Sequence, residues 1–239
     1  MLNSQTEHAL ERTSDNSTLS CCDPTRLNGS YGECTQRHYK RYEILEKSVL
    51  YKSIVHLKSG VAGIQHVLSD GRRSISALFV AGDIIDLRHH DIVRNGDFVS
   101  LSKTVLNLVS GVGFDRNTEL DLPERRAVED RARRQFDFLS RHCADLGKKT
   151  AAEKFSSYLF ECCRRQMDIP KTQDVGLLLQ RVDIADYLGV RPETLSRVIA
   201  KMERIGLIRI APNNRFCILD AATLRQVANG SGVKKELAT

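Results

Sequence analysis

The hydrophobic period changes from strand-like to helical near the middle of this chain, and that change constrains the fold more than any single motif. From Tyr42 to Val109, short apolar runs such as Ser53–Leu57, Val61–Leu68 and Ile75–Val80 are separated by Gly60, Asp70-Gly71 and Ala81-Gly82-Asp83. Strand-length runs about every 8–12 residues with glycine-centred turns predict an antiparallel sandwich or barrel. Residues 124–146 instead carry Val128, Ala132, Phe136, Leu139, Cys143 and Leu146 at spacings of three and four, an average close to the roughly 3.5-residue period of a pairing helix. A chain that runs through strands first and helices afterwards belongs to the α+β class.

The long helical stripe has two readings. Arg125, Arg126, Arg133, Arg134 and Arg141 fall mostly off it, as on a solvated charged face around an intramolecular contact. The stripe is also narrow enough to be the seam of a helix that pairs with its own twin, the reading we favour. A second helix is expected over about Ala151–Met167, burying Phe155, Leu159 and Cys162 or Cys163, and ending before Ile169-Pro170. Residues 1–35, rich in Ser, Thr and Asn and with neither hydrophobic period, are expected to be a mobile leader.

From Leu177 the pattern reads helix, turn, helix, hairpin. Val182–Leu188 is a short amphipathic segment, Gly189 can end it in a left-handed conformation, and Pro192 can open the next helix where its missing N–H costs nothing. Leu195, Val198 or Ile199, Met202 and Ile205 then form a buried stripe, with Glu193, Ser196, Arg197 and Lys201 outside. Two alternating runs, Leu207–Ile210 and Phe216–Leu219, bracket Pro212-Asn213-Asn214 and suit a hairpin beside the helix pair. The expected division is leader 1–35, β-roll 36–120, pairing helix 121–146, winged helix-turn-helix 147–225 and tail 226–239.

That arrangement suits duplex DNA, whose major groove admits one α-helix that reads base edges near its N-terminal end. Glu193 and Arg197 lie four residues apart on one helical face with Ser196 beside them. A carboxylate accepts from the cytosine amine and a guanidinium grips guanine with two parallel bonds. Arg191, Thr194, Lys201 and Arg215 are the candidate phosphate contacts. Lys and Arg together number 36 against 30 Asp and Glu, a net charge of +6. Part of the excess falls here, where Arg191, Arg197, Lys201, Arg204, Arg209 and Arg215 face only Glu193 and Glu203. No apolar run approaches a membrane span, the N-terminal text lacks a charged-then-apolar export pattern, and no phosphate loop, His-Glu-x-x-His run or nucleophile elbow is present. We therefore expect a cytoplasmic, non-enzymatic protein with no membrane association.

The segment Asp183-Ile184-Ala185-Asp186-Tyr187-Leu188-Gly189-Val190-Arg191-Pro192-Glu193-Thr194-Leu195-Ser196-Arg197 resembles the helix-turn-helix signature of the CRP/FNR family of bacterial transcription regulators. Its Glu-x-x-Ser-Arg core is similar to the FNR and FixK branch. The turns Leu57–Gly60, Asp70–Arg73 and Phe79–Asp83 resemble those of that family's cyclic-nucleotide-binding-like jelly roll. The likeness covers about residues 40–225. It implies a homodimer joined through Val128, Ala132, Phe136, Leu139, Cys143 and Leu146, two recognition helices over a TTGAT-type palindrome, and RNA polymerase as a further partner. It also implies genes of low-oxygen respiration or nitrogen fixation as targets, with activation as the expected sense of control. Arg191 stands where relatives often carry a Thr cap.

The resemblance also frames what controls such a protein. A cyclic-nucleotide pocket needs Gly-Glu and Arg-Ser or Arg-Thr pairs, whereas Ile84–Leu87 carries Asp86 and Asn95–Ser100 offers no cation. An FNR-like iron–sulfur cluster needs four converging thiolates. Cys21, Cys22 and Cys34 are spaced unlike that pattern, and Thr104–Val109 contains no cysteine. Cys143, Cys162 and Cys163 read as small buried residues. Haem would need an axial ligand from His66, His89 or His90. We expect no cofactor and no metal site, with Cys217, Cys21, Cys22 and Cys34 as candidate redox thiols. The alternative is an oxygen or redox sensor whose cluster or haem gates DNA binding.

Overall fold

The computed structural model describes residues 33–86, 96–110, 122–165, 174–176, 179–211 and 215–231. Strands come first. β1 (Glu33–Tyr39), a single helical turn α1 (Lys47–Leu50), β2 (Ser53–Ser59), β3 (Val61–Val67), β4 (Arg73–Val80), β5 (Ile84–Asp86), β6 (Asp97–Ser100) and β7 (Thr104–Ser110) form the roll. One sheet runs β1-β7-β2-β5 and the other β4-β3-β6, and every pairing within them is antiparallel. Val55, Leu57, Ile85, Leu106 and Leu108 of the first sheet meet Ala62, Ile64, Phe79 and Phe98 of the second in one buried core. Phe79 and Phe98 stack there at 5.4 Å. Gly60 makes the β2–β3 turn possible: its φ is +89°, and a Cβ would sit 2.3 Å from the Lys103 carbonyl oxygen.

The first strand begins at Glu33, inside the segment expected to be leader. Cys34 is therefore a strand residue opposite Val109 rather than a leader thiol. Threonine, glutamine and basic side chains on β1 hide its alternation, because this strand lies at a sheet edge with its outer side chains in water. Cys21 and Cys22, like His89 and His90, lie outside the described residues.

Two helices follow, α2 (Leu122–Lys148) and α3 (Ala151–Arg165). The break between them is a capping box: Thr150 N–H donates to Glu153 Oε2 at 2.9 Å and Glu153 N–H to Thr150 Oγ1 at 3.4 Å. The remainder is β8 (Asp174–Gly176), α4 (Arg181–Leu188), α5 (Pro192–Arg204), β9 (Ile208–Ala211), β10 (Arg215–Ile218) and α6 (Ala221–Ala228). β9 and β10 are the expected hairpin, with its 212–214 turn outside the described residues. β8 adds a strand on the other side of β10. Neither β8 nor α6 is legible in the sequence: the three residues of β8 are too short for a period, and the eight of α6 span barely two turns. α6, capped by Asp220 accepting from Thr223 N–H at 2.9 Å, buries Leu224, Val227 and Ala228. The C-terminal domain therefore continues past 225, where a tail is expected from the sequence. Among the described residues no helix is long and apolar enough to cross a membrane.

The outer face of the β4-β3-β6 sheet joins this domain. Val61, Ile75, Leu78, Val99 and Leu101 belong to the same apolar cluster as Phe138 of α2, Phe155 and Leu159 of α3, Tyr187 of α4, Leu195 and Ile199 of α5 and Leu224 of α6. Within that cluster the rings of Phe138, His142 and Tyr187 lie nearly parallel, His142 and Tyr187 at 3.8 Å. Burial pushes the His142 imidazolium down from 6.5 to about 4, with Lys154 acting the same way and Asp145 and the Tyr187 backbone opposing. The unfolded chain then binds more protons than the folded one below pH 6.5. Stability should therefore fall as pH drops from 6.5 towards 4, by on the order of 3 kcal/mol from this group. The expected result is a smaller loss of thermal stability across that window for His142→Phe, which keeps the ring stack, than for the parent protein. Equal slopes would contradict it.

Candidate nucleic-acid interface

The helix pair is built from local signals that each have a physical cause. α4 ends at Gly189, whose φ of 61° is left-handed, and the terminal N–H groups close back on the Ala185 carbonyl. α5 starts with Pro192 in its first turn, and Arg191 holds the N-cap position without a side-chain cap bond. Leu195, Ile199 and Met202 are buried, at helical spacing, against the rest of the domain. The opposite face is exposed: Arg191, Glu193, Thr194, Ser196 and Arg197 all lie in solvent, with Lys201 half-buried.

Glu193 and Arg197 could have been an ordinary helical ion pair. Among the described residues neither makes a hydrogen bond or ion pair through its side chain, so both heads remain available to an outside partner. The acid in the first turn also complements the helix dipole, and Lys201 and Arg204 in the last turn do the same at the other end.

The hairpin is tied to this helix. β9 is the outer strand of the β8-β10-β9 sheet, and its Ile210 N–H donates to Glu203 Oε1 on α5 at 3.1 Å. Glu203, which in the sequence is only an acid among arginines, thus satisfies a backbone donor at an open sheet edge. Arg209 is exposed on β9 and Arg215 half-buried on β10. Cys217 is buried in the strand at 5% exposure. Burial raises the thiol pKa of Cys34 and of Cys163, which disfavours the thiolate that redox chemistry requires.

The helix expected to pair has two faces. Phe138 and His142 of α2 are buried against the C-terminal domain. At about 100° per residue, Phe136, Leu139 and Cys143 point roughly a third of a turn away. Phe136 is 71% exposed, Cys143 is exposed, and Leu139 and Leu146 are half-buried. The side chains of Val128 and Ala132 fall outside the described ones. The intramolecular contact is therefore made by a different stripe from the one that the apolar spacing brings forward. Phe138, His142 and Asp145 follow helical spacing too, but a histidine and an aspartate mask it. A cavity of about 720 Å³ opens between α2, α3, α4 and α6, lined in part by His142, Tyr187, Lys149, Lys154 and Arg225. None of the candidate base-reading residues borders it. Among the described residues no group of three or more His, Cys, Asp or Glu is arranged to hold a metal ion.

Residues 153–227 match the Crp-like helix-turn-helix domain. The chain is 29% identical over 188 residues to the nitrogen fixation regulation protein FixK of Azorhizobium caulinodans, across 77% of this chain and 75% of that one. It is 29% identical over 183 residues to the transcriptional activatory protein AadR of Rhodopseudomonas palustris, across 74% of each. The solved structure of FixK2 from Bradyrhizobium japonicum has the same fold, with a TM-score of 0.68 at 23% identity, over 82% of this chain and 97% of that one.

The wing attachment can be checked directly. Glu203→Ala should speed hydrogen exchange at the Ile210 amide by about tenfold or more while the amides of α5 before Met202 keep their protection. Unchanged exchange at Ile210 would show that the carboxylate does not hold the wing.

Proposed function

The chain belongs to the CRP/FNR family of bacterial transcription regulators, and from that premise we propose that it is a homodimeric activator that binds a TTGAT-type palindrome, in the manner of FixK proteins. The observation that carries this reading is the exposed, unpaired set Glu193, Ser196 and Arg197 on the outer face of α5, above a buried apolar stripe and beside a basic hairpin. Arg197 and Glu193 have the donor and acceptor chemistry to read a G·C pair from the major groove, and Ser196 can serve either base. Arg191, Thr194, Lys201 and Arg215 surround them as phosphate contacts, fixing register without reading sequence.

The exposed stripe of α2 supports the dimer. An aromatic ring as open as Phe136 in line with Leu139, Cys143 and Leu146 is an unusual thing to leave in water. Pairing with a second α2 buries it and sets two recognition helices about one helical turn of DNA apart, about 34–36 Å. The likeness to FixK supports control of nitrogen-fixation genes and the likeness to AadR supports activation; low-oxygen genes as further targets and RNA polymerase as the further partner belong to the same proposal.

Gel-shift and footprinting measurements on the purified protein test this. It should protect a TTGAT palindrome with and without oxygen, and remain colourless. Visible absorbance in anaerobic preparations, with binding lost on air exposure, would favour a cluster- or haem-gated sensor instead. Arg197→Ala is expected to cost about 1–3 kcal/mol and to relax discrimination at one base pair, whereas Lys201→Ala should weaken all sequences alike and lower the salt slope by about one. Equal losses on specific and random DNA for both would remove the base-reading role. Phe136→Glu should give a folded monomer by sedimentation with little affinity for the palindrome. A stable Phe136→Glu dimer would refute the seam.

A further inference from the structure

Asp183 is an anomaly on α4. It is fully buried, among Ile184, Ala185, Tyr187 and Leu188, and a carboxylate in such surroundings needs compensation. Every side-chain partner it has among the described residues comes from the roll. The Tyr42 hydroxyl donates to its two oxygens at 3.3 and 3.2 Å, and Arg73 Nη2 pairs with Oδ1. Arg73 then spans to the next turn of the same helix: its Nε donates to Asp186 Oδ2 at 2.8 Å, with Nη2 at 2.7 Å from the same oxygen. A planar guanidinium held by two carboxylates fixes direction as well as distance.

The roll side of this contact is itself held. Tyr42 has a φ of 63°, the one positive value outside glycine among the described residues, a conformation that a bulky side chain adopts only when its surroundings impose it. Its N–H donates to the Ser100 carbonyl at 2.6 Å, and its ring has the Arg41 and Arg73 guanidinium groups 5.5 and 5.4 Å from its centre. Arg41 is anchored in turn on the Leu101 carbonyl at 2.9 Å. The turn that follows β4 grips the same domain: Asp83 pairs with Arg165 of α3 at 3.4 Å, whose guanidinium lies 4.0 Å over the Phe138 ring.

We propose that Arg73 and Tyr42, by holding Asp183, are positioning residues that set the orientation of the DNA-reading domain and hence the half-site spacing the dimer accepts. The inference rests on the dimeric reading above. With α2 fixed on the dimer axis, the chain joint at Lys149-Thr150 is a natural pivot for everything beyond it. The apolar face of the β4-β3-β6 sheet resists separation but tolerates sliding, because it is non-directional. The ion pairs of Arg73, where β4 begins, and of Asp83, in the turn that follows it, do not tolerate it. In the latched arrangement Glu193, Thr194, Ser196 and Arg197 are exposed, so each reader can meet a half-site, and losing the latch weakens binding where two readers must match one fixed spacing.

The test compares the native palindrome with one whose spacer is two base pairs longer, and with a single half-site. For Arg73→Ala, affinity for the native palindrome should fall about tenfold, the native-to-lengthened preference should shrink towards one, and half-site affinity should stay unchanged. Arg73→Lys should recover part of the preference, and Tyr42→Phe, a milder change that leaves the ring in place, should move it the same way by less. Equal loss on both spacings, or an unchanged preference in Arg73→Ala and Tyr42→Phe alike, overturns the proposal. Dyes placed at Lys58 and Ala222, diluted with unlabelled protein, read the domain orientation whatever the oligomeric state. Their distance distribution should be narrow in the parent protein and broadened in Arg73→Ala, and an unchanged width overturns the latch even if sedimentation shows a monomer. A monomeric parent protein with a distribution that does broaden would count against the dimer alone.

Discussion

The shared apolar core between the roll and the C-terminal domain is the interaction on which the rest of this structure depends. The β4-β3-β6 sheet has two buried faces. Its inner face closes the roll, and its outer face, through Val61, Ile75, Leu78, Val99 and Leu101, is continuous with the core of the helix-turn-helix. A sheet buried on both sides cannot slip register without exposing one set of side chains. The bulge in the β3–β4 pairing between Ile64 and Gln65 shows where the strand adjusts to serve both. Because that sheet is shared and Arg73 of β4 is paired to α4, the position of β4 is also the position of α4, and through the Gly189 turn it is the position of α5.

α2 stands in the same relation to a second boundary. One stripe, Phe138 and His142, is consumed by the chain's own C-terminal domain. The other, Phe136, Leu139 and Cys143, is left over, and a leftover apolar stripe on a long helix is what a symmetric partner requires. In the dimer proposed above, a single helix therefore transmits geometry in two directions, towards the second subunit and towards the reader. The capping box at Thr150 and Glu153 marks where that rigid element ends and the reader's own helices begin.

Much of the candidate interface is legible in the amino-acid sequence, because its signals are local. A left-handed glycine at 189, a proline at 192 and a stripe at 195, 199 and 202 each act within a few residues, and each appears where the sequence pattern places it. The roll strands are legible for the same reason, with glycine turns separating their runs. β1 escapes notice because an edge strand with polar outer residues lacks alternation. β8 escapes it because three residues carry no period. The buried stripe of α2 is hidden because His142 is polar in composition yet buried in fact, stacked on Tyr187 where no neighbour in sequence would suggest it.

The sequence by itself determined the passage from strands to helices, the helix-turn-helix and the polar face of its second helix, since these follow from propensities and periods that operate over one or two helical turns. The tertiary structure alone decided which face of α2 is buried inside the chain, how Glu203 secures the wing, and why Asp183 can be buried at all. Its partners Arg73 and Tyr42 lie 110 and 141 residues away. Nothing local to Asp183 distinguishes a solvated acid in the first turn of a helix from a buried one. Only the docking of the roll against α4 removes the water and supplies the compensating charge.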